Sequence, residues 1–113
     1  MSGFLDFVHE RLAPLGEITS RKMFGGHCVY CDGMAFALIA NDVLYLKADK
    51  ENRAEFEAAG LEAFKPFDDQ DTVMSYYLAP PDFYDNDEAL HKWGGAAVAA
   101  ARRARARKKP KKR

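Results

Sequence analysis

The sequence predicts an α+β fold, a two-layer sandwich in which helices cover one antiparallel sheet. Its central stretch, residues 21–47, divides into short apolar segments joined by two tight turns. Turns this short make consecutive strands antiparallel. Segments of helical periodicity precede and follow the stretch, and their apolar faces have only the sheet to cover. The predicted order of elements is α-β-β-β-α-β-β-α.

A first helix is predicted to begin near Ser2, whose hydroxyl can accept a hydrogen bond from a free backbone N–H of the first turn. Pro14 and Gly16 are expected to end it. The apolar residues between them have the spacing of one helical face: Phe4, Leu5, Val8 and Leu12.

The first predicted strand covers residues 21–30 and contains the pair Gly25-Gly26. A glycine pair inside a strand indicates a β-bulge or the close approach of another backbone. The alternative, a phosphate-binding loop, needs a lysine, a spacing and a following helix that are absent here. The structural interpretation of the two glycines is therefore preferred.

Two further strands complete the central stretch. Asp32-Gly33 is typical of a type I′ hairpin turn, and residues 34–40 after it are apolar throughout, which favours a central strand covered on both faces. Asn41-Asp42 forms the next turn, because both residue types tolerate left-handed backbone angles. The third strand is residues 43–47.

A second helix is predicted from Asp49, as its N-cap, through Ala59, with Phe56 as the main apolar anchor. Gly60 can supply the left-handed C′ position of a Schellman motif, in which Leu61 makes the hydrophobic contact. The helix should therefore end at this glycine.

The remaining elements are two strands and a last helix. The strands are predicted at residues 63–67 and 73–79, on either side of an acidic loop. Asp85 or Asp87 is expected to open the helix, in which Gly94-Gly95 costs about 1 kcal/mol per glycine relative to alanine. A continuous but weakened helix is expected, with a break at the glycines as the alternative.

The charge of the chain is divided between two parts. Residues 1–101 contain eight Lys or Arg and all 17 Asp and Glu, whereas residues 102–113 contain nine Lys or Arg and no acid. We therefore predict one domain at 1–101, followed by a basic tail at 102–113 that is disordered or extends the last helix. The basic residues of the tail are Arg102, Arg103, Arg105, Arg107, Lys108, Lys109, Lys111, Lys112 and Arg113.

The tail suggests a polyanion partner, DNA or RNA, bound without sequence preference and with a steep salt dependence. The alternative is a solubilising extension, or one that folds back on the acidic body. The acidic body itself should repel phosphate.

Composition points to a cytoplasmic protein. The N-terminus lacks a basic region followed by an apolar run, so no secretory signal is expected. The apolar segments are too short to cross a bilayer, and two cysteines do not make a secreted disulfide framework. The sequence does not determine the oligomeric state.

No residue set has the types and spacing that catalysis needs, so no catalytic residue, metal or cofactor is predicted. Cys28 and Cys31 form a CxxC pair, but the pair lies at a strand end rather than a helix N-terminus, and zinc would need two more ligands. Ser20 and Ser75 have no identifiable histidine partner. The carboxylates cluster in loops, where solvated surface and helix caps are the usual roles.

The aromatic residues of the strands have two interpretations. They could form a base-stacking platform for single-stranded nucleic acid. In a small domain they more often belong to the core. The residues concerned are Phe24, Tyr30, Phe36, Tyr45, Tyr76 and Tyr77.

Several motifs run through the body of the chain: Arg21, Met23, Phe24, Gly25 and Gly26, then Tyr30 and Gly33, Phe36-Ala37-Leu38-Ile39, Tyr45-Leu46-Lys47, Glu55-Phe56 before Gly60, and Met74-Ser75-Tyr76-Tyr77 before Pro80. Together they resemble the signature of the TfoX/Sxy N-terminal domain family, over residues 4–101. The resemblance implies the same α-β-β-β-α-β-β-α order and a bacterial source.

The same resemblance implies a regulatory role. Family members include regulators of natural competence, described as coactivators with a cyclic-AMP receptor-type transcription factor. The fuller regulators carry a second, helical domain that has no counterpart in this sequence. The family has no established catalytic residues, so it implies none here.

Three functional hypotheses remain open. The first is a non-enzymatic regulatory module that contacts a transcription-related protein and attracts nucleic acid through its tail. The second is a thiol redox or metal protein that uses Cys28 and Cys31. The third is a structural module that self-associates through an exposed sheet edge.

Overall fold

A five-stranded antiparallel sheet, with strand order β1-β2-β3-β4-β5, forms one layer of the protein. The computed structural model describes residues 3–23, 26–64 and 75–108. The strands are β1 (Ile18–Met23), β2 (Gly26–Cys31), β3 (Met34–Ala40), β4 (Val43–Lys47) and β5 (Tyr76–Leu78).

The helices form the second layer. They are α1 (Gly3–Leu12), α2 (Arg53–Ala58), α3 (Asp87–Ala89) and α4 (Gly95–Lys108), with a π-helical turn, Leu90–Gly94, joining the last two. Short 3₁₀ turns at Ala13–Leu15 and Pro81–Tyr84 connect the layers. We call the continuous segment 87–108 the long helix.

One apolar core lies between the two layers. It contains residues of the sheet and of three helical segments, α1, α2 and the long helix. Its largest fully buried side chains include Leu12 of α1, Phe56 of α2, Leu90 of the long helix and Leu44 and Leu46 of β4. Because all three helical segments contribute to this one cluster, they cover the same face of the sheet. The predicted α+β sandwich is confirmed, and its predicted order is consistent with the structure: a helix, a run of antiparallel strands, a second helix, further strand pairing and a last helix.

The central stretch differs from the prediction in one respect. Residues 21–30 were expected to be one strand, but they belong to two, since β1 pairs antiparallel with β2 and Met23 lies opposite Gly26. The strand begins earlier than expected because residues 18–20 pair with residues 29–31. Phe24 and Gly25 lie outside the described residues.

Gly26 confirms one of the two roles predicted for the glycine pair. A Cβ atom built on Gly26 would lie 1.9 Å from the carbonyl oxygen of Ile39, so the backbone of β3 does approach closely. The bulge lies elsewhere: Val29 pairs with Ala37 and Tyr30 with Ala35, which leaves Phe36 as the additional residue of β3. The bulge lets Phe36 enter the core, where it is fully buried.

The two predicted tight turns have the expected backbone. Asp32 and Gly33 have φ of 51° and 84°, and Asn41 and Asp42 have φ of 52° and 58°. Positive φ at both central residues is the requirement of a type I′ turn, whose twist suits neighbouring strands. The resulting hairpins place β3 at the centre of the sheet, as predicted.

Helix α2 ends as predicted but begins later. Gly60 has φ of 77° and donates its N–H to the carbonyl of Glu57, while Leu61 donates to Phe56, which is the Schellman pattern. Asp49 was expected to be the N-cap, but the residue preceding the helix is Asn52. Asp49 instead accepts the N–H of Glu51, one turn earlier.

The described ends of the two later predicted strands pair with each other. Leu78 donates its N–H to the carbonyl of Glu62, Phe64 donates to Tyr76, and Ala63 forms a β-bridge with Tyr77. The remainder of both predicted strands, residues 65–74, lies outside the described residues. The described part of the pair extends the sheet beyond β5.

Asn86 is the N-cap of the long helix, and its side-chain oxygen accepts hydrogen bonds from the N–H groups of Glu88 and Ala89. The prediction of Asp85 or Asp87 as the cap is wrong, because Asn86 alone of the three has its side chain on these free donors. The helix is continuous through the glycine pair, but Leu90–Gly94 adopts a π-helical turn. Gly94 is buried there beneath Leu15 and Phe83.

The two glycines of the long helix should respond differently to alanine. An added Cβ on Gly95 meets nothing within 4 Å, and its backbone is helical. Gly95→Ala should therefore raise the free energy of unfolding by about 1 kcal/mol. At Gly94 the added Cβ would lie 2.7 Å from Cδ1 of Leu15, so displacement of Leu15 should cancel that gain. Urea denaturation measures both; equal stabilisation by the two substitutions would contradict the packing of Gly94.

Candidate interaction surfaces

An ion pair ties the basic end of the long helix to the loop after β4. Arg103 donates from Nε to Asp49 Oδ2 at 2.6 Å and from a terminal nitrogen to Oδ1 at 2.9 Å, and Nε lies 3.5 Å from Glu51. Such two-point pairing of guanidinium with carboxylate is among the stronger polar contacts in proteins. We call this contact the Asp49–Arg103 pair.

Buried Asn52 supports the same loop. Its side-chain nitrogen donates to the carbonyls of Lys47, at 3.2 Å, and Ala96, at 3.5 Å, while its oxygen accepts the N–H of Asp49 at 2.7 Å. The loop is therefore joined both to the sheet and to the long helix. Asn52 is the one buried polar residue of the described chain, and no local pattern in the sequence indicates this role.

The Asp49–Arg103 pair should make stability depend on pH in acid. The hydrogen bonds from Arg103 lower the pKa of Asp49 from 3.8 to about 2. A group whose pKa is lower in the folded state stabilises the protein above its unfolded pKa, and that contribution disappears as pH falls through 2. A pKa shift of this size corresponds to a contribution of about 2 kcal/mol to the free energy of unfolding. Because the pair is partly exposed, solvent screening reduces this contribution to ~1 kcal/mol.

Arg103→Gln tests this dependence. At pH 7 its free energy of unfolding should lie about 1 kcal/mol below that of the unmodified protein, and the difference should vanish near pH 2. Arg102→Gln, a change at the exposed neighbour, is the matched control and should have little effect. A difference between Arg103→Gln and the unmodified protein that does not change with pH would contradict the role of Asp49.

The other predicted basic residues are only partly described. Arg102 and Arg105 are exposed on α4, and the helix itself continues to Lys108. Side chains of residues 107 and 108, and all of residues 109–113 with Lys109, Lys111, Lys112 and Arg113, lie outside the described part. Nucleic-acid binding by Arg102, Arg103, Arg105, Arg107, Lys108 and the rest of the tail stays a prediction, as does the domain boundary at residue 101.

A cleft of about 360 Å³ lies where α4 crosses the sheet. Small residues form most of its wall, and Lys47 and Arg105 give it two cations. Lys47 also places its ammonium group 5.0 Å from the ring centroid of Tyr76, a cation–π contact. The cleft connects the basic face of the helix with the second face of the sheet.

That second face carries a smaller apolar cluster. Cys28, Leu38 and Tyr76 are buried in it, with Tyr30, Tyr45 and Phe64 partly buried around them. Burial raises the pKa of Tyr76 to about 12. Among the aromatic residues considered for base stacking, Phe36 and Tyr77 lie in the core beneath the helices, and Phe24 lies outside the described residues.

The two cysteines point to opposite faces of the sheet. Cys31 belongs to the core beneath the helices, with its sulfur 3.5 Å from the carbonyl of Leu15, whereas Cys28 belongs to the second-face cluster. Both are free thiols, and burial raises the pKa of each. No group of three or more potential metal ligands occurs within residues 3–23, 26–64 and 75–108. This geometry argues against a shared redox or metal site at the CxxC pair.

Mild oxidation of the folded protein should therefore leave both cysteines unlinked. The thiols should react slowly with a thiol reagent, because burial disfavours the reactive thiolate. Intact-mass spectrometry after treatment with oxidised glutathione, before and after unfolding in urea, measures this. An internal disulfide formed in the folded protein would contradict the placement of the cysteines on opposite faces.

Ser20 has a histidine neighbour that sequence reasoning missed. Its hydroxyl lies 2.9 Å from Nε2 of His9, so the expectation that Ser20 lacks a histidine partner is wrong. The two residues come from α1 and β1 and meet only through the fold. A nucleophilic serine also needs a group that orients the histidine, and none of the described contacts provides one. The pair joins α1 to the edge strand.

An apolar groove of about 530 Å³ lies beside α1. Phe4, Phe7 and Tyr84 form an aromatic wall, with ring centroids 5.8 to 6.5 Å apart. Phe7 is 40% exposed, more than any other large hydrophobic side chain of the described residues. The other lining residues are Asp42, Val43, Leu61, Leu78, Ala79 and Pro81. We call this feature the Phe7 groove.

The residues that carried the family resemblance serve mainly the sheet. Arg21 lies on β1 opposite Cys28, Met23 lies opposite Gly26 at the β1–β2 hairpin, and Gly33 occupies a turn position. Tyr30 lies on the second sheet face. Phe24 and Gly25 are not among the described residues. Among the described members of the set, Arg21 and Tyr30 both lie near Cys28 on the second face, whereas Gly26 and Gly33 meet backbone requirements of the sheet and of a turn.

The fold and these surfaces define a small two-layer α+β domain with an apolar groove and a cationic helix end. Residues 10–101 match the family model of the TfoX N-terminal domain. The chain belongs to the TfoX N-terminal domain family.

One curated relative is the "DNA transformation protein TfoX1" of Aliivibrio fischeri, which is 30% identical over 89 residues. The match covers 79% of this chain but 38% of that relative, so the chain spans about two fifths of the relative's length. Within the described residues, no helix is both long and apolar enough to cross a membrane.

Proposed function

We propose that the protein is a non-enzymatic regulatory module of the bacterial cytoplasm, which acts by contacting a transcription-related protein. Membership of the TfoX N-terminal domain family over residues 10–101 is the observation that carries this proposal. The relative named for DNA transformation makes a link to competence the first to test. The separation of the two cysteines favours this role over a thiol redox or metal function.

The basic end of the chain adds a second element, a non-specific attraction to DNA or RNA. Arg102 and Arg105 are exposed and one helical turn apart on α4. Their charge adds to that of the basic residues that follow in the sequence. Arg103 should add less to this attraction, because its guanidinium is paired with Asp49.

Nucleic-acid affinity measured against salt tests the second element. The full chain should bind a labelled duplex with an affinity that falls steeply as salt rises. A tail variant, with Arg102, Arg105, Lys109, Lys111, Lys112 and Arg113 changed to glutamine, should bind weakly and with a much shallower salt slope. It keeps Arg103 and therefore retains the Asp49–Arg103 pair.

The control variant changes Lys22 and Lys92 to glutamine, two exposed cations that lie on β1 and near the start of the long helix. It should bind as the full chain does. Equal binding by the tail variant and the full chain would contradict the role of the tail.

The regulatory role is tested in the organism that encodes the protein. Deletion of the gene should change the abundance of a defined set of transcripts, and transformation frequency is measured in the same strains. Complementation with the unmodified gene should restore both. Transcripts and transformation that are unaffected by deletion, across growth conditions, would contradict the proposed function.

A further inference from the structure

We propose that the Phe7 groove is the docking site for an amphipathic, basic helix of a partner protein. This deepens the proposed interaction role and rests on it, because it states which surface makes the contact and what chemistry the partner presents. The inference depends on three properties of the groove: its size, its exposed aromatic residue and the charge around it.

The groove is large enough to accept several apolar side chains of a partner helix. Its volume of about 530 Å³ lies within the range of ~300–1,000 Å³ typical of ligand pockets. Apolar residues line it from three separate elements, α1, the β4–β5 side of the sheet and the Pro81–Tyr84 turn. An amphipathic helix that lays one apolar face into a groove uses anchors at i, i+3, i+4 and i+7.

Phe7 is the aromatic lining residue of the groove that lies outside the buried core and is exposed to solvent. Its neighbours on α1, Val8 and Leu12, are buried in the core, whereas Phe7 remains 40% exposed. An exposed aromatic side chain at the wall of an apolar groove is typical of a binding hot spot. Contacts with Phe4 and Tyr84 hold the ring in place before a partner arrives.

The charge around the groove selects a basic partner. Asp42 lines the groove. Three further exposed carboxylates, Asp6, Asp82 and Asp85, are next in sequence to the lining residues Phe7, Pro81 and Tyr84. The lining contains no Lys or Arg. Arg11, on the same side of α1, pairs with Asp87 at 3.0 Å and donates to the carbonyl of Phe83.

Complementary charge steers association and excludes partners of the same sign. A groove with an apolar floor, a lining carboxylate and no lining cation therefore favours an apolar helix face flanked by lysine or arginine. Two copies that paired groove to groove would fit less well, because the contact would bring the Asp42 carboxylates of both copies to one interface.

Fluorescence anisotropy of the full chain with a designed probe tests the inference. The probe is a labelled leucine–lysine peptide, with leucines at i, i+3, i+4 and i+7. Two control peptides are used: a leucine–glutamate peptide of the same pattern, and a leucine–lysine peptide of scrambled order. The leucine–lysine peptide should bind at least tenfold more tightly than either control.

Two protein variants locate the binding. Phe7→Ser should weaken affinity about tenfold, the loss expected for a hot-spot aromatic. Asp42→Asn combined with Asp82→Asn should weaken it three- to tenfold at low salt and flatten its salt dependence. Asparagine retains the positive φ that position 42 requires. Glu55→Gln removes an exposed carboxylate of α2 and should change nothing.

Three results would overturn the inference: equal binding of the lysine and glutamate peptides, equal binding by all protein variants, or no binding. Analytical ultracentrifugation of the unmodified chain and of Phe7→Ser shows whether a second copy of the chain, rather than a partner protein, occupies the groove. Self-association that is lost in Phe7→Ser would also overturn the inference, because the groove would then be a dimer contact.

The same variants are measured for nucleic-acid binding and for complementation of the deletion strain. Restored transcripts without peptide binding overturn the groove inference and leave the proposed function standing. Peptide binding at the groove by a protein whose deletion changes no transcript supports the groove and contradicts the regulatory role.

Discussion

Replacing Phe56 by alanine is expected to lower the free energy of unfolding by about 3–5 kcal/mol. Phe56 is fully buried, stacks on Tyr77 with ring centroids 5.2 Å apart and contacts Trp93 at 5.0 Å. It thus joins α2 to β5 and to the long helix. The loss would remove a large part of the 5–15 kcal/mol that stabilises an ordinary domain.

Urea denaturation followed by fluorescence measures this change, and Trp93 is the one tryptophan of the sequence. Its emission in the folded state should also shift, because its aromatic neighbour is removed. Glu55→Ala, an exposed change on the same helix, should stay within about 0.5 kcal/mol of the unmodified protein. A loss of less than 1 kcal/mol for Phe56→Ala would show that α2 is not anchored as the structure has it.

Gly26→Ala is expected to destabilise the protein by about 3 kcal/mol or more. The added Cβ would lie 1.9 Å from the carbonyl oxygen of Ile39 and 3.3 Å from Cα of Ala40. Both are backbone atoms of the central strand, so no side chain can move aside. Relief would need β2 to separate from β3, which would break the hydrogen bonds at the centre of the sheet.

Gly33→Ala is the matched control for Gly26→Ala. Gly33 has φ of 84°, but a Cβ there meets nothing within 4 Å. It should therefore cost ~1 kcal/mol for the left-handed backbone alone. Thermal or urea denaturation of the two variants compares a steric effect with a conformational one, and an equal loss in both would contradict the close approach of β3.

The parts of the fold that were predicted correctly depend on local chemistry. Asp32-Gly33 and Asn41-Asp42 indicate hairpins because few residue types accept positive φ, and Gly60 ends α2 for the same reason. Helical spacing of apolar residues likewise indicates which face each helix buries. Each of these signals is contained within a few consecutive residues.

The predicted and observed elements differ where the strand boundary or the helix cap depends on residues outside the local sequence pattern. The division of residues 21–30 between β1 and β2 depends on the pairing of residues 18–20, which contain one strongly apolar side chain. Asn86 is the cap because its extended backbone (φ −117°, ψ 114°) brings its side-chain oxygen onto the free N–H groups of Glu88 and Ala89.

The candidate sites could be predicted even less well than the fold. The Asp49–Arg103 pair joins residues 54 positions apart, and the Phe7 groove combines the start of α1 with residues near position 80. The basic tail was visible as composition, but composition does not show that Arg103 has a carboxylate partner. Contacts of this kind become apparent only when the layers are assembled.

The Asp49–Arg103 pair also affects where the domain can be cut. Sequence similarity to the family ends at residue 101, whereas the contact that closes the loop after β4 lies at residue 103. A protein shortened to the limit of similarity would keep Asp49 and Glu51 as neighbouring anions and lose the cation that neutralises them. Comparing the shortened and full chains would thus mix two effects, loss of attraction for polyanions and loss of a structural support. A shortened protein that is meant to retain this ion pair therefore has to extend at least to residue 103.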